Sequence, residues 1–117
     1  MGKMAITVNG EEPKNLYPAF TIASSALATG DDVIMFFTPS AAPALKKGVM
    51  ESMKAKGLPD MADLVEGFND LDGRILLCEL AFENKDMTKE DLREGVEIVG
   101  ATTFVVEAQG SELTFSF

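Results

Sequence analysis

Two kinds of hydrophobic pattern alternate along the chain. Short, almost uninterrupted apolar runs lie within residues 3–8, 32–38 and 74–77. The segments between them carry apolar residues three and four positions apart, which is the spacing of a helix that covers one face of a sheet. Runs that are apolar on both faces are typical of strands buried in the middle of a parallel sheet. The pattern therefore predicts an α/β fold in which strands and helices alternate.

The first third of the sequence predicts a strand, a helix and a second strand. The run KMAITV ends at an Asn-Gly pair, which is typical of a turn. Pro18 suits the first turn of a helix that Gly30 ends, and the second run begins at Asp32. A helix of about a dozen residues between two such strands is the sequence form of a right-handed βαβ unit. Residues 38–43 should then form a loop at the carboxyl edge of the sheet.

The middle of the chain predicts one weak and one stronger helical segment. Residues 44–56 are rich in Met, Lys and Ala, but Gly48 interrupts them, so one or two helical turns of modest stability are expected. Asp60 is a candidate N-cap for an amphipathic helix whose apolar residues recur at spacings of three and four up to Leu71. An Asp-Gly pair then ends this helix, and the third apolar run follows.

The C-terminal third gives conflicting signals. Residues 88–91 have the form of a capping box and predict a short helix, while the runs 96–99 and 113–117 are apolar and strand-like. Residues 101–109 favour a strand by their β-branched content. If residues 101–106 were a strand, only a link of about five residues would connect it to the last strand. Two parallel strands need a longer crossover connection than that. We therefore expect a helix over residues 101–109.

Composition and charge exclude several classes of function. The chain has 117 residues, 46% of them hydrophobic, which is the size and composition of one domain over residues 1–117. A net charge of −9 disfavours nucleic acid and anionic membrane surfaces, and no apolar run approaches the ~20 residues of a membrane span. Without histidine there is no Ser/His/Asp or Cys/His pair and no ordinary zinc site. We expect a cytoplasmic protein without metal or other cofactor.

Cys78 is the only cysteine and the main candidate for chemistry. It ends the third apolar run, and in open parallel sheets ligands and catalytic groups collect beyond the carboxyl ends of the strands. One cysteine cannot form an internal disulfide, which fits a reducing compartment. The alternative role for Cys78 is that of a small buried hydrophobic residue at the end of a strand.

Other polar residues are weaker candidates. The acidic groups at positions 83–94 match no calcium loop and are interpreted as a solvated surface, and the methionines at 50 and 53 as packing residues. Four residues could line a pocket beside Cys78, although each also suits a turn or surface position. They are Thr38, Ser40, Arg74 and Glu79.

Three stretches of the C-terminal half carry a family resemblance: RILLCELAF around Cys78, TKEDLREGVEIVG from Thr88, and the closing ELTFSF. They resemble the small DsrE/DsrF-like sulfur-relay proteins, and the N-terminal half agrees more loosely through its GDDVIMFFT strand. The resemblance implies a three-layer α/β/α fold with a mainly parallel sheet of about five strands, flavodoxin-like in outline. It also implies an oligomer, a trimer or a hexamer, and a cysteine at position 78 that carries a sulfane sulfur.

Two functions remain open from the sequence. By resemblance, the chain is a sulfur-relay protein that holds a persulfide on Cys78, accepts the sulfur from a donor protein and passes it to a partner thiol. A relay needs one cysteine per subunit, whereas a dithiol oxidoreductase needs two, and the Thr that peroxiredoxins place three residues before their cysteine is Ile75 here. The alternative is a non-catalytic homo-oligomeric binding module in which Cys78 is buried and structural. Whether the chain is an enzyme of the sulfurtransferase kind stays open.

Overall fold

A five-stranded sheet forms the centre of the computed structural model, which describes residues 2–117. All four strand pairs are parallel, and the spatial order is β4-β3-β2-β1-β5. Helices pack on both faces, which confirms the predicted three-layer α/β class with a parallel sheet. The strands are β1 (Lys3–Val8), β2 (Asp32–Phe37), β3 (Arg74–Cys78), β4 (Val96–Val99) and β5 (Leu113–Ser116).

Within residues 2–117, four α-helices and three short 3-10 segments connect the strands. None of the helices within the described residues is long and apolar enough to cross a lipid bilayer. The helices are α1 (Pro13–Ala28), α2 (Met61–Asp70), α3 (Ala81–Asn84) and α4 (Ala101–Ala108), and the 3-10 segments are Pro39–Leu45, Met50–Ser52 and Lys89–Asp91.

Two helical boundaries differ from the sequence prediction. Pro13, rather than Pro18, occupies the first turn of α1, and the Asn15 side chain accepts a hydrogen bond of 3.3 Å from the N–H of Glu12, the N-cap. The helical turns expected over residues 44–56 are reduced to the three residues of the second 3-10 segment. Gly48, with a φ of 81°, has a backbone conformation that a right-handed helix does not contain. The sequence expectation of one or two weak turns is thus met by a single 3-10 turn, which begins after this glycine.

The direction of the connections decides which face each helix covers. Strands β1 to β4 follow one another across the sheet in a single direction, and buried residues of α1, α2 and α3 all join the core cluster on one face. The connection from β4 to β5 returns across the sheet to its other edge, and α4 packs on the opposite face. This reversal is what right-handed parallel crossovers require. The helix predicted over residues 101–109 is confirmed as α4 despite its β-branched sequence.

Strands β1 to β4 divide their side chains between two unequal cores. The larger core lies under α1 and α2 and contains most of the buried residues, such as Phe20 and Phe68. The smaller core lies under α4, where no side chain of the helix itself is fully buried. The strand residues of this smaller core are Ala5, Ile34, Phe36, Leu76 and Cys78.

Candidate functional site

The candidate site lies where two neighbouring strands leave the sheet on opposite faces. Cys78 ends β3 and is in register with Val99, the last residue of β4. The chain continues from β3 into α3 on one face, and from β4 into α4 on the other. Such a switch point opens a crevice at the carboxyl edge of a parallel sheet, and ligand sites form there. Among residues 2–117, Cys78 is the one thiol, and the fold brings it to this edge.

The side chain of Cys78 lies in the smaller core and is 6% exposed. Val99, Phe104 and Ala108 pack against the same cluster, so α4 covers the face that holds the thiol. Phe104 stacks on Phe36 with ring centroids 4.4 Å apart and an interplanar angle of 12°. The thiol therefore lies within the apolar cluster on which α4 packs.

Glu79 is brought next to Cys78 and to the start of α4. Its backbone N–H donates a hydrogen bond of 2.9 Å to the carbonyl oxygen of Val99, which extends the β3–β4 pairing by one residue. Its carboxylate lies against Gly100, the N-cap of α4: a Cβ at position 100 would come within 3.1 Å of Glu79 Oε1. A side chain at position 100 would displace this carboxylate, which is exposed to solvent.

Thr38 and Ser40 lie on the same edge of the sheet, directly after β2. Thr38 donates hydrogen bonds from its backbone N–H (3.1 Å) and its hydroxyl (3.2 Å) to the carbonyl oxygen of Val8. This hydroxyl thus ties β2 to β1, while Ser40 is exposed in the first 3-10 segment. Two cavities, of about 320 and 550 Å³, are lined by neither residue nor by Cys78, and both contain the Glu51–Arg93 ion pair.

Arg74 does not lie beside Cys78. It is the first residue of β3, four residues before the thiol, which places it about 13 Å away at the amino edge of the sheet. Its guanidinium forms a fork with Glu97 on β4, at 2.8 and 2.9 Å, and an ion pair with Glu107 on α4 at 3.3 Å. The prediction of Arg74 as a pocket residue is therefore corrected: residues that begin a strand and residues that end it occupy opposite edges.

A comparison with family models identifies the chain. The model of the DsrE/DsrF-like family matches residues 2–117. This chain belongs to the DsrE/DsrF-like family. The match confirms the resemblance carried by the stretches around Cys78 and after Thr88.

Individual relatives agree with the family assignment. The uncharacterised protein MJ0760 of Methanocaldococcus jannaschii is 32% identical over 76% of this chain, which spans about a third (32%) of that protein's length. The sulfur carrier protein DsrE2 of Allochromatium vinosum is 25% identical over 95% of both chains. The crystal structure of the ychN protein from E. coli matches with a TM-score of 0.80 at 18% identity, covering 100% of each chain, and confirms the fold.

Sequence reasoning missed the residues that hold α4 on this DsrE/DsrF-like sheet. Lys3 donates from its Nζ atom to the carbonyl oxygens of Glu107 and Gln109, where a cation also complements the negative end of the helix dipole. Arg74 holds the same end of α4 through the Glu107 side chain. A lysine at the start of a first strand gives no sequence signal for such a contact, because its partners are backbone carbonyls more than a hundred residues away.

The contact between Arg74 and Glu97 depends on pH. Hydrogen bonds from Arg74 lower the pKa of Glu97 below its ordinary value of 4.5, although partial burial opposes this shift. Because the folded-state pKa is depressed, the contact stabilises the fold above about pH 4.5 and is lost as the pH falls through the folded value. We expect the free energy of unfolding to fall more steeply between about pH 5 and pH 3 in the wild type than in Glu97→Gln. Urea titrations at each pH measure both slopes, and parallel slopes would contradict the prediction.

Proposed function

We propose that this DsrE/DsrF-like chain is a sulfur-relay protein that carries a sulfane sulfur as a persulfide on Cys78. The observation that supports this most directly is the position of the thiol at the carboxyl edge of β3, at the switch point between α3 and α4. The family and the sulfur carrier DsrE2 among the relatives support the same chemistry. We propose a cytoplasmic location, because a reducing compartment keeps a lone thiol free of disulfides.

The relay consists of two exchange steps at one sulfur atom. In the loading step, the Cys78 thiolate attacks the outer sulfur of a donor persulfide; a bond forms to Sγ, the donor's S–S bond breaks, and the donor leaves as a thiolate. In the unloading step, the acceptor's thiolate attacks the outer sulfur on Cys78, and Cys78 leaves as a thiolate. The sulfur moves without net oxidation or reduction, so one thiol per subunit is sufficient.

Burial of the thiol favours a second candidate function. At 6% exposure within an apolar cluster, Cys78 also fits a small packing residue. The chain would then be a non-catalytic homo-oligomeric binding module. Accessibility of the thiol in the folded protein separates the two functions.

Intact mass measurement tests the relay. We expect the folded wild type, after exposure to a low-molecular-weight persulfide donor, to gain the mass of one sulfur atom, and dithiothreitol to remove it. Cys78→Ser, a nearly isosteric variant, should gain nothing. No gain on the wild type, together with a thiol that reacts with iodoacetamide only in denaturant, would overturn the relay and support the binding module.

We also propose that the face covered by α4 contacts further copies of the chain. The outer positions of α4 carry Thr102, Thr103, Val105 and Val106, and the two valines are 57% and 60% exposed. These positions are free of charge in a chain of net charge −9, so copies can meet there with little repulsion. A single helix of eight residues is also a narrow cover for a parallel sheet, whose faces are normally buried.

Sedimentation tests the self-association. We expect the wild type to sediment as an oligomer at micromolar concentration, and Val106→Glu to sediment as a monomer, since the introduced carboxylates would face one another across the contact. Leu58→Glu is the matched control, because Leu58 is 50% exposed but lies in a loop away from α4. A monomeric wild type would contradict the proposal.

A further inference from the structure

Leu80 is an exposed apolar residue two positions after Cys78, at the edge where β3 ends. It is 67% exposed, more than any other large apolar side chain in the described part of the chain. Its backbone is fixed, because it is the N-cap of α3 and its carbonyl oxygen accepts a hydrogen bond of 3.1 Å from the N–H of Asn84. The side chain is thus held in solvent two residues after Cys78, where it contributes little to the core.

Unpaired carboxylates flank Leu80. Glu79 precedes it and Glu83 lies in the first turn of α3, and both side chains are exposed. Among residues 2–117, no lysine or arginine lies within ion-pair distance of either carboxylate, whereas Glu51, Glu97 and Glu107 each contact an arginine. The exposed segment that follows Cys78 at this edge of the sheet therefore combines one apolar side chain with negative charge that the described residues leave uncompensated.

We propose that Leu80, Glu79 and Glu83 form the docking surface for the protein that exchanges sulfur with Cys78, and that this partner presents its cysteine among basic and apolar residues. The inference rests on the proposed relay and names the chemistry of its partner. Opposite charges accelerate the encounter, and an apolar contact at its centre slows dissociation. A basic partner would also be attracted by the net charge of −9.

Three disulfide peptides of equal length serve as probes of this surface. Each carries one cysteine joined to 2-nitro-5-thiobenzoate, flanked by Arg and Leu in the first peptide, Glu and Leu in the second, and Arg and Ser in the third. The Cys78 thiolate attacks the peptide sulfur; a new S–S bond forms to Sγ, the old one breaks, and the coloured nitrothiobenzoate leaves as the better leaving group. Any change in the thiolate fraction alters all three rates equally, so the ratios of the rates report docking.

The expected ratios identify the role of each residue. On the folded wild type, the Arg-Leu peptide should react about tenfold faster than either of the others, and its advantage over the Glu-Leu peptide should shrink in 0.5 M salt. Leu80→Ala should slow both Leu-containing peptides and leave the Arg-Ser peptide unchanged. Glu79→Gln combined with Glu83→Gln should reduce the preference for Arg over Glu, whereas the remaining net charge of the protein keeps a smaller part of it. Leu71→Ala is the matched control, since Leu71 is 51% exposed but lies at the amino edge after α2, and it should change no ratio.

The contrary outcomes separate this inference from the proposed function. If the folded wild type reacts at one rate with all three peptides, or if Leu80→Ala behaves as Leu71→Ala does, the docking surface is refuted while the thiol remains available for a relay. If no peptide reacts until the protein is denatured, the relay itself fails, and the docking inference fails with it.

Discussion

Replacing Phe104 by alanine should expose the thiol of the folded protein, and we expect the alkylation rate of Cys78 to rise at least about tenfold. Phe104 is the aromatic contact between α4 and the sheet, through its stack on Phe36. The other contacts that hold α4 lie toward its C-terminal end: Ala108, the Arg74 ion pair, and the hydrogen bonds from Lys3. Without Phe104 the N-terminal half of α4 loses its main packing contact.

The energetic scale of this change favours local opening. A fully buried Phe→Ala substitution costs about 3–5 kcal/mol, and because Phe104 is only partly buried we expect about 2–3 kcal/mol here. A loss of this size, confined to a helix that buries none of its own side chains completely, raises the population of states in which α4 is detached. Iodoacetamide labelling followed by intact mass gives the rate, and urea titration gives the stability.

Val106→Ala is the matched control for this variant. Val106 lies on the same helix but is 60% exposed, so its truncation should leave labelling of the monomer nearly unchanged. Labelling at a concentration below self-association removes any effect of subunit contacts. If Phe104→Ala lowers the stability but leaves the labelling rate at the wild-type value, α4 does not control access to Cys78.

The sequence predicted the fold class because its strongest signals agreed with each other. The apolar run at residues 3–8 became β1, the run at 32–38 became β2 without its last residue, and residues 74–77 became β3, extended by one residue to Cys78. Helix α4 was the hardest element to predict, because residues 101–109 have strand propensity. It was predicted from topology: a parallel connection from β4 to β5 needs a crossover, and these residues are the only segment long enough to form it. The match to the DsrE/DsrF-like family later confirmed the architecture.

The site was less predictable than the fold, because the hydrophobic pattern does not show on which face of the sheet a given side chain lies. The sequence placed Cys78 at a strand end but left open whether its thiol faces solvent, and the structure places it in the smaller core. Phe104, which packs against the same cluster, lies 26 positions later in the chain, and no local pattern links the two residues. Arg74 was assigned to the wrong edge for a different reason: in the predicted parallel sheet a residue that begins a strand already lies opposite the loops that follow the strands, and the pocket assignment did not apply this constraint.

The second large effect concerns Gly73, where we expect alanine to lower the melting temperature by about 10 °C. A Cβ at this position would lie 2.5 Å from two ring carbons of Phe68 and 2.7 Å from a third. The ring cannot move aside freely, because Phe68 is fully buried and packs edge-on against Phe20 with centroids 5.3 Å apart. Overpacking of this kind costs about 1–3 kcal/mol, and we expect the upper end because the contact is with a rigid ring.

Gly67 provides a control with the opposite sign. It lies inside α2, and a Cβ there would meet nothing within 4 Å. Gly67→Ala should therefore stabilise the protein by about 0.5–1 kcal/mol, because alanine loses less backbone entropy in a helix than glycine. Scanning calorimetry gives the melting temperatures of both variants. We expect Gly73→Ala to melt below the wild type and Gly67→Ala to melt above it.

A double-mutant cycle attributes the cost at position 73 to the ring itself. Phe68→Leu removes the ring edge that a Cβ would strike, so Gly73→Ala should cost less in the Phe68→Leu background than in the wild type. The difference should exceed about 0.5 kcal/mol, since the two residues are in direct contact. If the losses of unfolding free energy in the two single variants simply add up in the double variant, the cost of Gly73→Ala comes from the backbone of the turn into β3. The close approach to Phe68 would then not be the reason for glycine at this position.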